Sequence, residues 1–572
     1  MANMVFRELA LYLTKLEKTA SRNEITQILS ELFKKAGAKE IDKIVYLVLG
    51  ILAPNYQGID FNIAERLMLQ IIARAYGVDI EKIRAAFKEK GDLGIVAESF
   101  AKGKGKDPEV LTVYEKMLEL AQEGGGGSQE RKIAKAAELF STLDPLSARY
   151  VARIPVANLR LGFSNMTILD ALSVMVKGDK SVRPQIEAAF NVSVDIGKIA
   201  KSVKEKGLAG LKLVKPEAGT PIRPSLAERL PTAEKILEKL GGKVAVEPKY
   251  DGFRVQVHIY SEGGKKKISF FSRNLENTTE MFPDMAEAAS KIKVSSAIFD
   301  AEAIGFDPKT GKFLLFQETV QRKRKHDILE IAKKLPLKLF LFDILYKDGK
   351  SYLEAPFSER RKILENTVSK VDSKIEITRQ EIVDAADVIR TLQKEYLAEG
   401  LEGALIKKID APYKAGARGY HWVKYKKTTE GGLTDTIDCL VLGINKGQGK
   451  RAGFGVGAFL VGVREGEKFK SVSKIGTGLT DEQWRELNER MKKLEVKERP
   501  KEYEVHKNLE TDTWARPSLV VEILADEITR SPIHTAGLAL RFPRLINFRD
   551  DKSPSQATSL GELTKLYKMQ KK

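Results

Sequence analysis

The hydrophobic pattern of this chain changes period near residue 216, and that change is the strongest single constraint on its fold. Before it, apolar residues recur at helical spacing, with Phe6, Leu9, Leu13 and Leu16 on one face and Ile25, Ile28, Leu29 and Leu32 on another. Residues 1–215 therefore read as an all-α domain. Glycine-rich stretches at Gly103–Lys106 and Gly124–Ser128 read as exposed loops between helices, and the second, Gly-Gly-Gly-Gly-Ser, matches an engineered linker as well as a natural loop. The turn-rich run Gly219-Thr220-Pro221-Ile222-Arg223-Pro224 then opens a domain of different character. Strand-like segments follow at Val255–Tyr260, Lys267–Ser272, Ala297–Phe299, Leu337–Leu345 and Gly403–Ile406, with helices between them, which predicts an α+β domain over 216–428. Residues 429–572 carry short β segments at Cys439–Ile444, Ala458–Val463, Ser471–Ile475 and Leu519–Leu524 and one helical run, Asp481–Leu494. That pattern predicts a small Greek-key β-barrel of the OB-fold kind.

A length of 572 residues suits three such domains at about 100–200 residues each. The single cysteine, Cys439, excludes an intramolecular disulfide, and His258, His326, His421, His506 and His534 are too scattered for a zinc module. The longest apolar run, Val45 to Ala53, is broken by Gly50 and falls well short of the ~20 residues a membrane span needs. Met1 to Lys15 reads as an amphipathic helix rather than a signal peptide, so a cytoplasmic protein with no membrane partner is expected. Lys and Arg number 97 against 78 Asp and Glu, a net charge of +19 in a chain that is 31% charged. This excess predicts a polyanionic partner, nucleic acid first, although a Lys-rich proteome would produce the same figure. High Lys and Glu with few Cys and Met is in addition the pattern of heat adaptation.

Two familiar motifs fail on context. Gly447, Gly449 and Ala452 satisfy the dinucleotide fingerprint by letter, but Phe454–Val463 is strand-like where a helix must hold the pyrophosphate. No Walker-type phosphate loop occurs. Lys265-Lys266-Lys267 reads as a solvated hairpin.

The segment that carries chemistry is Glu247-Pro248-Lys249-Tyr250-Asp251-Gly252-Phe253-Arg254, directly after the apolar strand Val244–Val246. Pro248 removes a ladder donor and Gly252 permits a tight turn, which puts Lys249 where a strand ends at a pocket. A lysine must lose its proton to act as a nucleophile, and from a pKa of about 10.4 that costs about 4.6 kcal/mol at pH 7. Desolvation, a second cation such as Arg254, Lys424 or Lys426, or a bound Mg²⁺ lowers that cost.

Lys249-Tyr250-Asp251-Gly252 resembles the Lys-x-Asp-Gly motif of the covalent nucleotidyltransferases, which comprise ATP-dependent DNA ligases, RNA ligases and capping enzymes. Later segments resemble the later motifs of that superfamily in the right order. These are Ser272-Arg273-Asn274-Leu275-Glu276, Phe299-Asp300-Ala301-Glu302, Leu341-Phe342-Asp343, Gly400-Leu401-Glu402-Gly403 and Trp422-Val423-Lys424-Tyr425-Lys426. Last come Leu540-Arg541-Phe542-Pro543-Arg544 and Arg549-Asp550-Asp551-Lys552. Ala157-Asn158-Leu159-Arg160-Leu161-Gly162 and Pro221-Ile222-Arg223-Pro224-Ser225-Leu226-Ala227 are similar to segments of the archaeal and eukaryotic replicative DNA ligases.

The resemblance implies a division into a helical DNA-binding domain, an adenylation domain and an OB-fold domain, with ATP and Mg²⁺ as cofactors. It implies that Lys249 attacks the α-phosphate, that Glu247 orients adenine, that Phe342 stacks on it, and that Arg254 and Arg273 hold ribose and phosphates. Glu302 and Glu402 would hold the metal, since Mg²⁺ prefers oxygen ligands. Arg418, Lys424 and Lys426 would neutralise the α-phosphate, and Arg541, Arg544, Arg549 and Lys552 are the candidates for meeting pyrophosphate. Read singly, Phe342 is equally a core residue and Arg549–Lys552 a solvated charge run. The partner implied is nicked duplex DNA, bound by a monomer. A sliding clamp is the family's frequent partner, but Ala97-Glu98-Ser99-Phe100-Ala101-Lys102 lacks its motif. An RNA ligase or capping-type guanylyltransferase would share the lysine chemistry, and a non-catalytic nucleic-acid-binding protein would share only the fold.

Overall fold

A computed structural model describes residues 3–102, 108–156, 159, 161–230, 232–314, 316–322, 328–368, 371–426, 436–447 and 453–569. Gly103–Lys106, Ala157, Asn158, Arg160, Gly449 and Ala452, all singled out from the sequence, lie outside those residues. The chain divides into two compact units, 1–425 and 426–572.

The first 211 residues hold twelve α-helices among the described residues, from Phe6–Glu17 to Ile196–Leu211. The predicted faces are the buried ones. Phe6, Leu9, Leu13 and Leu16 line one helix, and Ile25, Leu29 and Leu32 line the next, Arg22–Lys35, whose first turn is capped by Ser21. Ala97–Phe100, part of the stretch compared with the clamp motif, closes the helix Leu93–Phe100, and Phe100 packs against the helical core. Gly124–Gly127 is a loop between helices, as the sequence suggests, while Ser128 already opens the helix Ser128–Ser141. Gly125 and Gly127 take positive φ, and Arg131 donates to the carbonyls of Gly124 and Gly126 at 2.8 Å each.

The middle region is built on two sheets. The five-stranded sheet runs in the order β1-β11-β10-β2-β9, formed from β1 (Leu226–Arg229), β2 (Val244–Lys249), β9 (Glu381–Val383), β10 (Gly403–Lys408) and β11 (Arg418–Lys426). The second has the order β4-β3-β5-β6-β7, with β8 paired to β6. Its members are β3 (Phe253–Glu262), β4 (Lys265–Ser272), β5 (Ala297–Gly305), β6 (Leu337–Lys347), β7 (Lys350–Ser351) and β8 (Ile375–Ile377). Side chains alternate across each strand. On β2, β10 and β11, Val244, Val246, Ala404, Ile406, Val423 and Tyr425 enter one apolar cluster. Glu247, Lys249, Lys407, Trp422, Lys424 and Lys426 fall on the opposite face. On β3 and β5, Phe253, Val255, Val257, Phe299, Ala301 and Ala303 are buried in a second cluster, so Arg254, Gln256, His258, Asp300 and Glu302 point the other way.

β1, β9 and β11 escape the sequence reading. β1 and β9 have only four and three residues, and β11 reads Arg-Gly-Tyr-His-Trp-Val-Lys-Tyr-Lys, whose inward positions are polar or aromatic. Lys265–Lys267 is exposed at a hairpin, as expected, though the Lys266 ammonium also donates to the carbonyls of Ser290 and Ile292 at 2.6 and 2.7 Å.

The C-terminal unit is β-rich, with β12 (Ile437–Lys446), β13 (Val456–Glu465), β14 (Lys468–Ile475), β15 (Glu495–Val496), β16 (Tyr503–Glu504), β17 (Thr513–Ala515) and β18 (Val520–Leu524). β19 (Glu527–Arg530), β20 (Leu538–Arg541) and β21 (Arg544–Phe548) complete it. The pairings branch from β12, which joins β13, β17 and β18, and among the described residues they do not close into a ring. The helix Asp481–Lys492 starts at a capping box on Thr480 and buries Trp484, Leu487 and Met491 beside Phe459. β13 lies where the dinucleotide fingerprint would need a helix, so that motif remains rejected.

Candidate active site

β2 ends at Lys249 and β3 begins at Phe253, so Tyr250-Asp251-Gly252 carries the chain from one sheet to the other. Tyr250 anchors this crossing, stacked on Phe340 with ring centroids 4.1 Å apart and edge-on to Phe313. Gly252 is required by space: a Cβ there would lie 2.2 Å from the carbonyl oxygen of Ala303. Lys249 pairs in register with Gly403 of β10, and its carbonyl accepts from the Glu402 amide at 3.0 Å. The Lys249 Nζ lies 2.5 Å from Glu402 Oε2, and its side chain is 27% exposed, reachable from solvent yet held by the protein.

Glu302 stands on β5 opposite Arg254 of β3. It is half-buried, and its crowded surroundings desolvate the carboxyl enough to push it up to about 7, while Lys249 and Arg254 pull it back down. Glu302 and Glu402 are thus two carboxylates converging near Lys249, a donor set that suits Mg²⁺, which takes one or two carboxylates and completes its shell with phosphate oxygens and water.

The raised Glu302 value carries a sign for stability. In the unfolded chain the carboxyl ionises near the ordinary 4.5, in the folded one near 7, so ionisation opposes folding as pH rises through that window. Glu302→Gln is expected to stabilise the ligand-free protein at pH 8 by at most about 3 kcal/mol and to change little at pH 4.5. Thermal midpoints of both proteins at the two pH values check this, and an equal shift at both would contradict it.

Beside Lys249 on the same face of β2, Glu247 is 1% exposed, with Oε2 2.7 Å from the Lys407 ammonium and Oε1 accepting from Gln380 at 3.0 Å. Burial pushes the Glu247 carboxyl up, against the pull of Lys407 and Arg361. Lys407 also donates to the Phe342 carbonyl at 3.0 Å and lies over the rings of Phe342, Phe357 and Trp422 at 4.9, 4.4 and 4.8 Å. Phe342 is 8% exposed, edge-on to Trp422 in a cluster with Tyr413 and Ile222. Arg254 lies 5.4 Å from the Phe342 ring and 5.3 Å from that of Trp422. Its guanidinium forms a two-point pair with Asp300 and donates to the Ser225 carbonyl at 2.6 Å.

Glu247, Lys249, Arg254, Glu302, Phe342 and Glu402 therefore gather at one site. Lys424 and Lys426 share the Trp422 face of β11. Arg418 opens that strand, and its side chain lies outside the described part. Arg273 is exposed in the turn that ends β4. Within the C-terminal unit, Arg541 is 3.6 Å from Glu527 and Arg544 is 2.5 Å from Asp526. Arg549 and Lys552 share Asp438 at 3.2 and 2.5 Å, so this run is more than a solvated charge cluster.

Three residues of the site were not singled out from the sequence, Lys407, Tyr413 and Gln380, nor was Arg360, whose fully buried pair with Asp343 ties β6 to the helix Phe357–Thr367. For Lys407 a signal existed, since alternation along Gly403–Lys408 puts it on the Glu247 face. For Tyr413 and Gln380, both in irregular segments, none did.

Comparison with known proteins matches this arrangement along the chain. Residues 5–173 match the DNA ligase N terminus, 224–426 the ATP dependent DNA ligase domain and 452–552 the ATP dependent DNA ligase C-terminal region. The chain belongs to the ATP-dependent DNA ligase family. It is similar to a "Probable DNA ligase" of Dictyoglomus turgidum, 44% identical over 580 residues that span 100% of this chain and 98% of the relative. It is also 40% identical to "DNA ligase 2" of Thermofilum pendens over 598 residues, 100% and 98% of the two chains. The fold of this ligase is shared with the solved structure "Pmar-Lig_PreS3", with a TM-score of 0.54, 18% identity, and coverage of 95% and 99%. ATP and a divalent metal ion such as Mg²⁺ are its cofactors. Among the described residues no helix is long and apolar enough to cross a membrane.

Proposed function

We propose that this ligase seals single-strand nicks in duplex DNA through a lysyl-AMP intermediate on Lys249, acting as a cytoplasmic monomer. The observation that carries the reading is Lys249 at the end of β2, paired with Glu402 and electrostatically coupled to Glu302. In the first step the Lys249 amine bonds to the α-phosphorus of ATP, the α–β phosphoanhydride bond breaks and pyrophosphate leaves. AMP then passes from nitrogen to the 5′-phosphate of the nick, and the 3′-hydroxyl displaces AMP to form the phosphodiester.

Attack requires the Lys249 amine to be free of its proton. The cations Arg254, Lys424 and Lys426 lower the cost of that loss and offset charge developing on the phosphate. Glu302 and Glu402 would hold Mg²⁺, which when bound neutralises the carboxylates and the phosphate oxygens. Glu247 orients adenine, Phe342 stacks on it, Arg254 and Arg273 hold ribose and phosphates, and Arg418 joins Lys424 and Lys426 in neutralising the α-phosphate. Arg541, Arg544, Arg549 and Lys552 meet the pyrophosphate. The division 1–215, 216–428 and 429–572 assigns DNA binding, adenylation and OB-fold contacts to three domains. A sliding clamp is a further partner that the family allows, although its motif is not found in this chain.

Self-nucleotidylylation with labelled ATP against GTP, followed by nicked DNA against RNA ends, tests this reading. Label from ATP alone and sealing of DNA are expected. Transfer from GTP with activity on RNA ends would favour a capping or RNA-joining enzyme, and no adduct at all would favour a non-catalytic protein. DNA binding through phosphate contacts carries a second expectation, that nick affinity is independent of sequence and falls by roughly 10³-fold or more between 50 and 200 mM salt. An affinity that stays flat in a titration by fluorescence anisotropy contradicts it.

A further inference from the structure

On β3 the residues Phe253, Val255, Val257 and Ile259 face an apolar core, while Arg254, Gln256 and His258 alternate with them. Arg254 reaches the aromatic cluster of the site. The other two are wholly buried, and each spends its polar atoms on the segment that joins the helical region to the sheets. The Gly219 amide donates to His258 Nδ1 at 3.0 Å, which leaves the proton on Nε2, 3.4 Å from Gln256 Oε1. Gln256 then holds Ile222 by both ends, with Oε1 accepting from the Ile222 amide at 2.9 Å and Nε2 donating to its carbonyl at 2.6 Å.

Three residues further on, the same segment meets Arg254. The Ser225 carbonyl accepts from Arg254 Nη1 at 2.6 Å, and the Ser225 amide donates to the Tyr413 hydroxyl at 3.0 Å. That hydroxyl donates to Asp300 Oδ2 at 2.7 Å and accepts from Arg254 Nη2 at 3.1 Å. The guanidinium is thus fixed on one side by Asp300 and on the other by a backbone carbonyl whose place depends on Ile222. Between Ile222 and Ser225 the segment also touches the helical region, where the Arg223 amide donates to the Asn191 carbonyl at 2.8 Å.

We infer that Gln256 is a positioning residue for ATP binding, acting through Ile222 and Ser225 to aim Arg254 at the nucleotide. The inference rests on the reading above that Arg254 holds ATP. An apolar residue at 256 would leave the Ile222 amide and carbonyl buried without partners, so the segment would shift and take Ser225 with it.

The test measures self-adenylylation by the full chain at varied ATP, together with sealing of a nick already carrying AMP. Gln256→Met, close in shape but without the amide, is expected to raise the KM for ATP roughly tenfold and to leave kcat within about twofold. Tyr413→Phe, which removes one hydroxyl from the same network, is expected to act in the same direction and serves if Gln256→Met does not fold. Sealing of the pre-adenylylated nick is expected to be unchanged in Gln256→Met. Arg254→Ala separates the two levels of the argument. If it leaves KM unchanged, the reading of Arg254 fails and the inference with it. If it raises KM while Gln256→Met and Tyr413→Phe do not, the inference alone is overturned. Equal losses in every step alongside a lower melting temperature would show a structural role and would also overturn it.

Discussion

Lys249→Ala is expected to abolish self-adenylylation and to lower sealing of an ordinary nick by roughly four orders of magnitude or more. The reason is that no other amine stands in its position. The side chain leaves the last residue of β2, its carbonyl is fixed by the Glu402 amide and its ammonium by the Glu402 carboxylate. Lys424 and Lys426 lie on β11, two strands away in the same sheet, and act as charges rather than as substitutes. The same variant is expected to retain activity on a nick that already carries AMP, because the last displacement forms its bond between two DNA groups and asks nothing of the amine. Parallel assays on the two substrates check this. Equal loss on both would mean that the substitution damages the fold or that Lys249 serves another step.

Gly252→Ala is the second large effect. The added methyl carbon would lie 2.2 Å from the Ala303 carbonyl oxygen, 2.9 Å from its carbon and 3.2 Å from Glu302 Cγ. Neither backbone atom gives way like the end of a flexible side chain, so the crossing from β2 to β3 must move. Overpacking of this kind costs about 1–3 kcal/mol, which a core of this size tolerates. The catalytic cost is larger. Lys249 lies three residues before the clash and Glu302 next to the carbonyl it strikes, and a misplacement of about 1 Å at reacting groups costs roughly 10²-fold in rate. We expect self-adenylylation to fall by roughly that factor in a protein whose melting temperature drops by only a few degrees. Wild-type rates in that variant would show that the crossing is not what positions the amine.

The sequence was most informative where one residue type does one physical task. Helical periodicity located the buried faces of Phe6–Glu17 and Arg22–Lys35 because each has a single apolar side. The Lys-x-Asp-Gly run pointed to the proposed nucleophile through its resemblance to the nucleotidyltransferase motif and the ordered motifs after it, since a lone lysine before a turn reads as a surface residue. Phe342 shows the opposite case. It is a buried core residue that also lies between Arg254 and Lys407, and read singly its sequence context showed only the core role, the stacking role coming from the resemblance. β11 was missed because its inward residues, Trp422, Lys424 and Lys426, face a polar cleft, so the strand lacks the apolar alternation that marks β3. Tyr413 and Gln380 act from irregular segments, where sequence spacing says nothing about what they approach. The four cations of the last motif were legible as a cluster, while Asp438, which pairs with both Arg549 and Lys552, stands more than a hundred residues away in the chain.

The central claim is that one lysine amine becomes covalently bound to AMP. Its most direct test is peptide mapping by mass spectrometry after incubation with ATP and Mg²⁺, with and without nicked DNA added afterwards. The account predicts the mass of one AMP on the peptide containing Lys249, acid-labile as a phosphoramidate is, and discharged when the nick is supplied. AMP on any other residue, or on Lys249 but never discharged to DNA, would contradict it.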